Sequence, residues 1–175
     1  LSAQKNGKNA DISKYLAGAV PVENGVVVFR KSYKAEGKTK EQLYALLKDY
    51  TWNKVVCGEN KLPQARITEA DSTTGVIAAS MEEYLYFKKK AWVTHYARLY
   101  YQLVFTVRDG GFDAMMRNIH YCYDAESMPN GQPSSFRAED WITDKEALSK
   151  DGTKLTRIGG KFRRFTIDRK DELFT

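Results

Sequence analysis

The chain has 175 residues, a length typical of one domain, and a mildly basic formal net charge of +6. Its hydrophobic share of 42% and its 4 prolines exclude an intrinsically disordered chain. Its 2 cysteines exclude a disulfide framework and a zinc site built from cysteine alone. No apolar stretch approaches the ~20 residues of a membrane-spanning helix. Composition therefore restricts the class of protein but selects no activity.

The first residues predict a flexible polar arm over residues 1–20. Leu1-Ser2-Ala3-Gln4 has the small-residue pattern with which many bacterial signal peptides end. On this interpretation the protein is exported to the periplasm or the cell envelope. An ordinary flexible N-terminus is the alternative interpretation of the same residues.

A strand and a capped helix are predicted next. The β-branched run that begins at Val26 predicts a strand reaching about Tyr33. Thr39, followed three residues later by Gln42, fits a capping box at the start of a helix. Spacings of three and four then give this helix one apolar stripe, which consists of Leu43, Leu46, Leu47 and Tyr50.

A meander of four strands follows, because the hydrophobic period changes to two after residue 64. The predicted strands cover residues 65–69, 75–81, 92–108 and 112–123. Residues 82–90, which are aromatic and charged, are predicted as a strand or an extended loop.

The last hairpin of this meander predicts a β-bulge. With Gly110-Gly111 as a two-residue turn, Arg108 faces Asp113 across the hairpin. Continuing that register would turn polar residues toward the apolar face of the preceding strand. One extra residue near Arg117-Asn118 would instead bring the apolar side chains from Ile119 onward to that face.

The remaining chain predicts a loop over residues 124–135, helical turns over residues 139–148 and a final helix over residues 167–175. Residues 155–165 give no clear signal. The expected fold is α+β, with an antiparallel sheet of about five strands and helices packed on one face, in the order β-α-β-β-β-β-α. A single domain would cover residues 21–175.

Several segments together resemble a known family. They are Val26-Val27-Val28-Phe29, residues 37–44, residues 107–112, residues 160–165 and residues 167–174. The chain resembles a group of exported bacterial proteins described as a domain of unknown function with a TATA-binding-protein-like (TBP-like) fold. The resemblance covers about residues 21–175 and implies the fold and the envelope compartment. It implies no catalytic residue.

Candidate chemistry is sparse. The sequence has no hydrolase nucleophile elbow, zinc-protease motif or phosphate-binding loop, so we expect no enzymatic activity and no cofactor. Glu82 and Glu83 are neighbours, so on a strand their carboxylates would point to opposite faces, which is unsuitable for an acid/base pair. His120 and Cys122 would share one face of a strand but lack further metal ligands. Pairing of Cys57 with Cys122 stays open.

Two basic runs, Lys88-Lys89-Lys90 and Arg163-Arg164, suggest nucleic-acid binding as a remote alternative. The aromatic residues near the first run are Tyr84, Tyr86, Phe87 and Trp92. A basic edge that prevents strand-to-strand aggregation explains the same residues, and an exported protein would not meet nucleic acid.

We expect function to lie on the sheet face away from the helices, because tyrosine and arginine are preferred anchors of protein interfaces. The candidate docking residues are Tyr84, Tyr86, Arg98, Tyr100, Gln102 and Arg117. The main hypothesis is an exported, non-enzymatic binding or accessory module that docks another envelope protein or a second copy of itself. The alternative is a carrier of a small apolar ligand, held in a cavity of at least ~300 Å³ between the helical stripe and the sheet.

Overall fold

The computed structural model describes residues 11–90, 93–124 and 129–175. The strands are β1 (Val22–Glu23), β2 (Val26–Val27), β3 (Phe29–Lys34), β4 (Arg66–Asp71), β5 (Val76–Lys90), β6 (Val93–Arg108), β7 (Gly111–Tyr123) and β8 (Ser134–Arg137). The helices are α1 (Lys40–Tyr50), α2 (Ala138–Trp141), α3 (Asp144–Ala147) and α4 (Gly159–Phe174). The predicted signal-peptide residues 1–4, Trp92 and part of the predicted loop, residues 125–128, lie outside the described residues.

The main sheet has six antiparallel strands in the described part of the chain. Their order is β3-β7-β6-β5-β4, and β8 pairs with β7 beyond the end of β3. The predicted α+β fold with an antiparallel sheet is therefore confirmed. Residues 82–90 continue β5, and β8 is a further strand that begins inside the predicted loop.

Helix α1 begins with the predicted capping box. The Thr39 side chain accepts from the Gln42 backbone N–H, and the Gln42 side chain accepts from the Thr39 backbone N–H. The predicted apolar stripe is only partly correct, because Leu46 is 59% exposed while Leu43 and Leu47 are buried. The chain continues after α1 as a π-helical turn, Thr51–Val56, which rotates Val55 and Val56 into the core.

The sheet face toward α1 and α4, called the helix side below, carries the core. Buried side chains of both helices join buried side chains of β5, β6 and β7 in one cluster. On the helices they include Leu43, Leu47, Phe162, Ile167, Leu173 and Phe174. Helix α4 starts eight residues before the predicted final helix, within the segment that gave no clear signal.

The turn between β6 and β7 lies one residue earlier than predicted, so the predicted pairing of Arg108 with Asp113 is wrong by two residues. Arg108 pairs with Gly111, so Asp109 and Gly110 form the turn, and Gly110 takes the positive φ of 75°. Gly111 already belongs to the strand, where a Cβ would lie 2.4 Å from the Tyr33 carbonyl oxygen. Arg108 still forms an ion pair with Asp113, at 3.0 Å.

The predicted β-bulge is confirmed. Gln102 pairs with Arg117 but Tyr100 pairs with His120, so β7 has one extra residue there. Asn118 adopts a φ of 53° at this point. The extra residue turns the side chains of Ile119 and Tyr121 back to the helix side, where both are buried.

The segment before β1 is packed, which corrects the expectation of a flexible arm for residues 11–20. Tyr15 and Val20 are buried in the core cluster. The fully buried Arg163 guanidinium of α4 donates to the carbonyl oxygens of Tyr15, at 2.6 Å, and Leu16, at 2.6 Å. Among the described residues, no helix is long and apolar enough to cross a membrane.

Candidate functional site

All six predicted docking residues lie on one surface, the sheet face away from α1 and α4. We call this surface the open face and define it by residues of β5, β6 and β7. They are Glu82, Tyr84, Tyr86, Tyr96, Arg98, Tyr100, Gln102, Arg117, His120 and Cys122. Neighbouring rungs of the sheet bring them together, because Tyr84 pairs with Arg98, and Gln102 pairs with Arg117.

Glu82 organises the centre of the open face. Its carboxylate oxygen Oε1 accepts from Arg98 Nη1 at 3.2 Å and from the Tyr100 hydroxyl at 3.1 Å. Arg98 Nε lies 3.0 Å from Asp124 Oδ1, but it is buried and makes no well-directed hydrogen bond, so this contact is electrostatic. Partial burial, and then the Glu82 carboxylate, raise the pKa of Tyr100. The network fixes Arg98 between two carboxylates.

Aromatic rings cover both sides of this network. The rings of Tyr100 and His120 stack with centroids 4.5 Å apart and planes within 7°. Tyr84 packs against Tyr86 at 5.7 Å and edge-on against Tyr96 at 5.3 Å. Such contacts hold aromatic side chains in one orientation, so the surface is pre-organised.

The open face carries a second arginine, Arg117, beside the β-bulge, and its hydrogen-bond partners differ from those of Arg98. Arg117 Nε donates to Gln102 Oε1 at 2.7 Å, and Asn118 Nδ2 donates to the same oxygen at 3.4 Å. Among the described residues no carboxylate pairs with Arg117. Its exposed positive charge is therefore available to an acidic group of a partner.

A second polar group, which sequence reasoning missed, lies on the helix side. Glu83 is 4% exposed, and its two carboxylate oxygens accept from Arg169 Nε at 2.6 Å and Arg169 Nη2 at 3.2 Å. The buried Tyr101 hydroxyl donates to Glu83 Oε2 at 3.1 Å. Burial, and then the Glu83 carboxylate, raise the pKa of Tyr101. The expectation that Glu82 and Glu83 point to opposite faces is thus confirmed.

The Glu83–Arg169 pair forms one wall of a cavity of about 400 Å³ between α4, β5 and the segment of residues 58–60. Tyr84 and Tyr86 also line this cavity, which therefore adjoins the open face. Both oxygens of Glu83 already have partners, so the pair ties α4 to the sheet rather than presenting a vacant group to a ligand.

Three comparisons relate this geometry to known proteins. The family model described as "Domain of unknown function (DUF4468) with TBP-like fold" matches residues 29–122. A crystal structure of a DUF4468 family protein from Bacteroides ovatus ATCC 8483 is 33% identical, with a TM-score of 0.82 over 94% of this chain and 91% of that chain. The chain belongs to the DUF4468 family.

A crystal structure of a TBP-like protein from Parabacteroides distasonis ATCC 8503 shares the fold alone. It is 18% identical, with a TM-score of 0.65 over 89% of this chain and 92% of that chain. A search of curated proteins finds no match. The segment matched by the DUF4468 model contains all six predicted docking residues, whereas Arg169 lies outside it.

An apolar cavity of this DUF4468 family member lies beside α1, where the carrier hypothesis predicts a ligand. It measures about 160 Å³, against the ~300 Å³ expected for a small-ligand site. Tyr50 and Leu47 line it as predicted, whereas Leu43 is packed in the core and Leu46 lies outside. Its remaining walls are Tyr33, Phe105, Phe112, Leu173, Phe174 and Thr175.

The remaining residues considered as candidates for nucleic-acid binding, disulfide formation or metal binding form no such site among the described residues. Arg163 of the second basic run is buried and cannot contact nucleic acid, and the side chains of Lys88-Lys89-Lys90 lie outside the described residues. Cys57 and Cys122 are both free thiols, and burial raises the pKa of Cys122. In the part of the chain that the structure describes, no three residues with metal-binding side chains cluster together.

Proposed function

We propose that this DUF4468 family member is an exported, non-enzymatic binding module of the cell envelope, and that its open face docks an acidic segment of another envelope protein. The observation that carries the proposal is the pre-organised set of tyrosine and arginine side chains on that face. Such side chains are enriched at the energetic centres of protein interfaces.

The order of these side chains supports a binding role. Glu82 holds Arg98 and Tyr100 in place, and the tyrosine rings pack on one another. Because they are already fixed, binding would cost little side-chain entropy. The titratable groups at the centre of the face are occupied by one another, which suits contact with a partner better than proton transfer to a substrate.

Charge supports an acidic partner. The chain has a formal net charge of +6, and among the described residues Arg117 lacks a carboxylate partner. A carboxylate presented by a partner could pair with Arg117 through two parallel hydrogen bonds. Opposite charge also accelerates association of the two proteins.

Site-specific photo-crosslinking in the native host tests the docking role. A photoreactive residue would replace Tyr84 or Gln102 in turn, and Lys48 or Trp52, exposed on the opposite side of the domain, as controls. We expect one discrete protein adduct from the open-face positions, lost when Arg117→Glu is added and kept when Lys48→Glu is added. Equal adducts from both sets of positions would contradict the proposal.

Export rests on the family resemblance and is tested separately. Osmotic shock of host cells should release a periplasmic protein together with a periplasmic marker enzyme. A protein bound to the envelope should instead remain in the envelope fraction. Recovery with a cytoplasmic marker would refute export and leave the docking role to its own test.

A further inference from the structure

The cations near the start of α4 are distinguished by their grouping and not by the lack of a carboxylate partner alone, because Arg66 and Arg117 also form no ion pair among the described residues. Most arginines of the described chain form ion pairs with carboxylates. These are Arg30, Arg98, Arg108, Arg137, Arg163 and Arg169. Among the described residues, Arg157, Lys161 and Arg164 have no such pair.

These three cations line one open cavity of about 420 Å³ along the first turns of α4. Asp168 is the one acid among the described residues that line it. Its carboxylate already accepts from the Tyr15 hydroxyl at 2.5 Å and lies 3.2 Å from Lys14 Nζ. The cavity is therefore positively charged even with its acidic residue included.

The ammonium group of Lys161 contacts an aromatic ring and a histidine, and neither carries a negative charge. Its ammonium lies 4.5 Å from the centre of the Phe87 ring and 3.5 Å from His95 Nδ1. Burial, and then repulsion from Arg157, lower the pKa of Lys161. A bound anion would relieve this repulsion.

The glycines before Lys161 have a packing role. A Cβ on Gly159 would lie 2.5 Å from the Trp141 carbonyl oxygen, and one on Gly160 would lie 2.6 Å from Leu155 Cβ. Glycine is therefore required for α4 to approach its neighbours. Any anion in the cavity would be held by the three side chains and not by a glycine loop.

We propose that the cavity lined by Arg157, Lys161 and Arg164 binds a phosphoryl group, carried by a small phosphate ester or by a lipid headgroup. Two guanidinium forks and one ammonium match the charge and the three oxygens of a phosphate monoester better than the single charge of a carboxylate. The site lies on the helix side, so it is independent of docking at the open face.

Titration of the ¹⁵N-labelled protein with glycerol 3-phosphate, followed by NMR, tests this site, with glycerol as the uncharged control. We expect saturable shifts confined to residues around the cavity, with a dissociation constant at or below about 1 mM. Arg157→Gln with Arg164→Gln should weaken binding at least about tenfold, since two charge-assisted contacts are lost. Lys161→Met, which keeps the packing on Phe87, should weaken it as well.

Arg66→Gln is the matched control, because Arg66 also lacks a carboxylate partner among the described residues but lies on β4, where it donates to the Gln64 carbonyl oxygen. It should leave the affinity unchanged. Equal weakening by Arg66→Gln would overturn the site, because binding would then follow net charge alone.

Sedimentation with vesicles distinguishes the two sources of the phosphoryl group. Binding to vesicles that contain phosphatidic acid, lost in the Arg157→Gln, Arg164→Gln variant and not seen with phosphatidylcholine alone, assigns the lipid headgroup. Saturable glycerol 3-phosphate binding without vesicle binding assigns a soluble ester. Binding of neither probe overturns the proposal.

Discussion

Glu82 and Glu83 are adjacent in the sequence, yet their carboxylates lie on opposite faces of the sheet, and each is held by one arginine and one tyrosine. Glu82 contacts Arg98 and Tyr100 on the open face. Glu83 is bound by Arg169 and by Tyr101 on the helix side. One dipeptide therefore both organises the candidate docking surface and attaches α4 to the sheet.

The buried pair makes a testable contribution to stability. Arg169→Met leaves the Glu83 carboxylate buried without its cation, so we expect a loss of about 3 kcal/mol in the free energy of unfolding, measured with urea. Glu83→Leu combined with Arg169→Met should recover most of this loss, because two apolar side chains replace the charges.

The exposed pair of Arg137 and Asp140 is the control for the buried pair, and Arg137→Ala should cost far less than Arg169→Met, because water screens an exposed ion pair. If Arg169→Met were no more costly than Arg137→Ala, the Glu83–Arg169 contact would not hold α4.

The bulge in β7 depends on the left-handed backbone of Asn118, whose φ is 53°. Asn118→Val should lower the free energy of unfolding by about 1–2 kcal/mol, because a β-branched residue is strained there. Asn118→Gly should be nearly neutral. Deletion of Asn118 would turn Ile119 and Tyr121 away from the core, so we expect no cooperative unfolding transition. A folded deletion variant would show that the bulge does not set the register.

Arg163 should hold the segment before β1. Its guanidinium donates to the carbonyl oxygens of Tyr15 and Leu16 and lies 2.7 Å from Asp144 Oδ1. Arg163→Met should remove one donor from each of these carbonyl groups, although that of Leu16 still accepts from the Ala19 backbone N–H, and should speed amide hydrogen exchange across residues 11–20. Arg66→Met, at an exposed position of β4, is the control. Unchanged exchange in Arg163→Met would mean that packing of Tyr15 alone fixes the segment.

Asp151 gives a prediction for pH dependence. Its carboxylate accepts from the Ser149 hydroxyl and from the Thr153 backbone N–H and hydroxyl, and these bonds lower its pKa from 3.8 to about 2. Because the folded pKa is depressed, its contribution to stability is present above about pH 4 and is lost as the pH falls toward 2.

Carboxyl NMR titration should give a midpoint of about 2 for Asp151 in the wild type and a higher midpoint in Ser149→Ala. An unchanged midpoint in Ser149→Ala would assign the effect to the bonds from Thr153.

Local chemistry made much of this fold predictable. The capping box at Thr39 fixed the start of α1, and the conflict between polar residues and an apolar face located the bulge at Asn118. The alternation of side chains along β5 and β6 grouped Tyr84 and Arg98 on one face. Each of these inferences needed only residues near one another in the chain or across one hairpin.

Features set by distant contacts were not predictable. The turn lies at Asp109-Gly110 and not at the two glycines, and a contact with α1 is made there, since the Lys40 backbone N–H donates to Asp109 Oδ1 at 2.8 Å. Arg163 is buried because carbonyl groups far away in sequence satisfy it. Arg169 reaches Glu83 across 86 residues of chain, so no local pattern indicated their pairing.

Native mass spectrometry of the protein recovered from the envelope of its own host tests the docking role most directly. The wild type and a control variant, Lys48→Glu with Trp52→Ala, should both carry one additional protein mass. Tyr84→Ala with Arg117→Glu should give the bare monomer. If the wild type instead shows the mass of a dimer, and this dimer is lost in the open-face variant, the docked partner is a second copy of the chain. A complex that persists in the open-face variant, or a bare monomer in the wild type, would contradict the claim that this face is a docking surface.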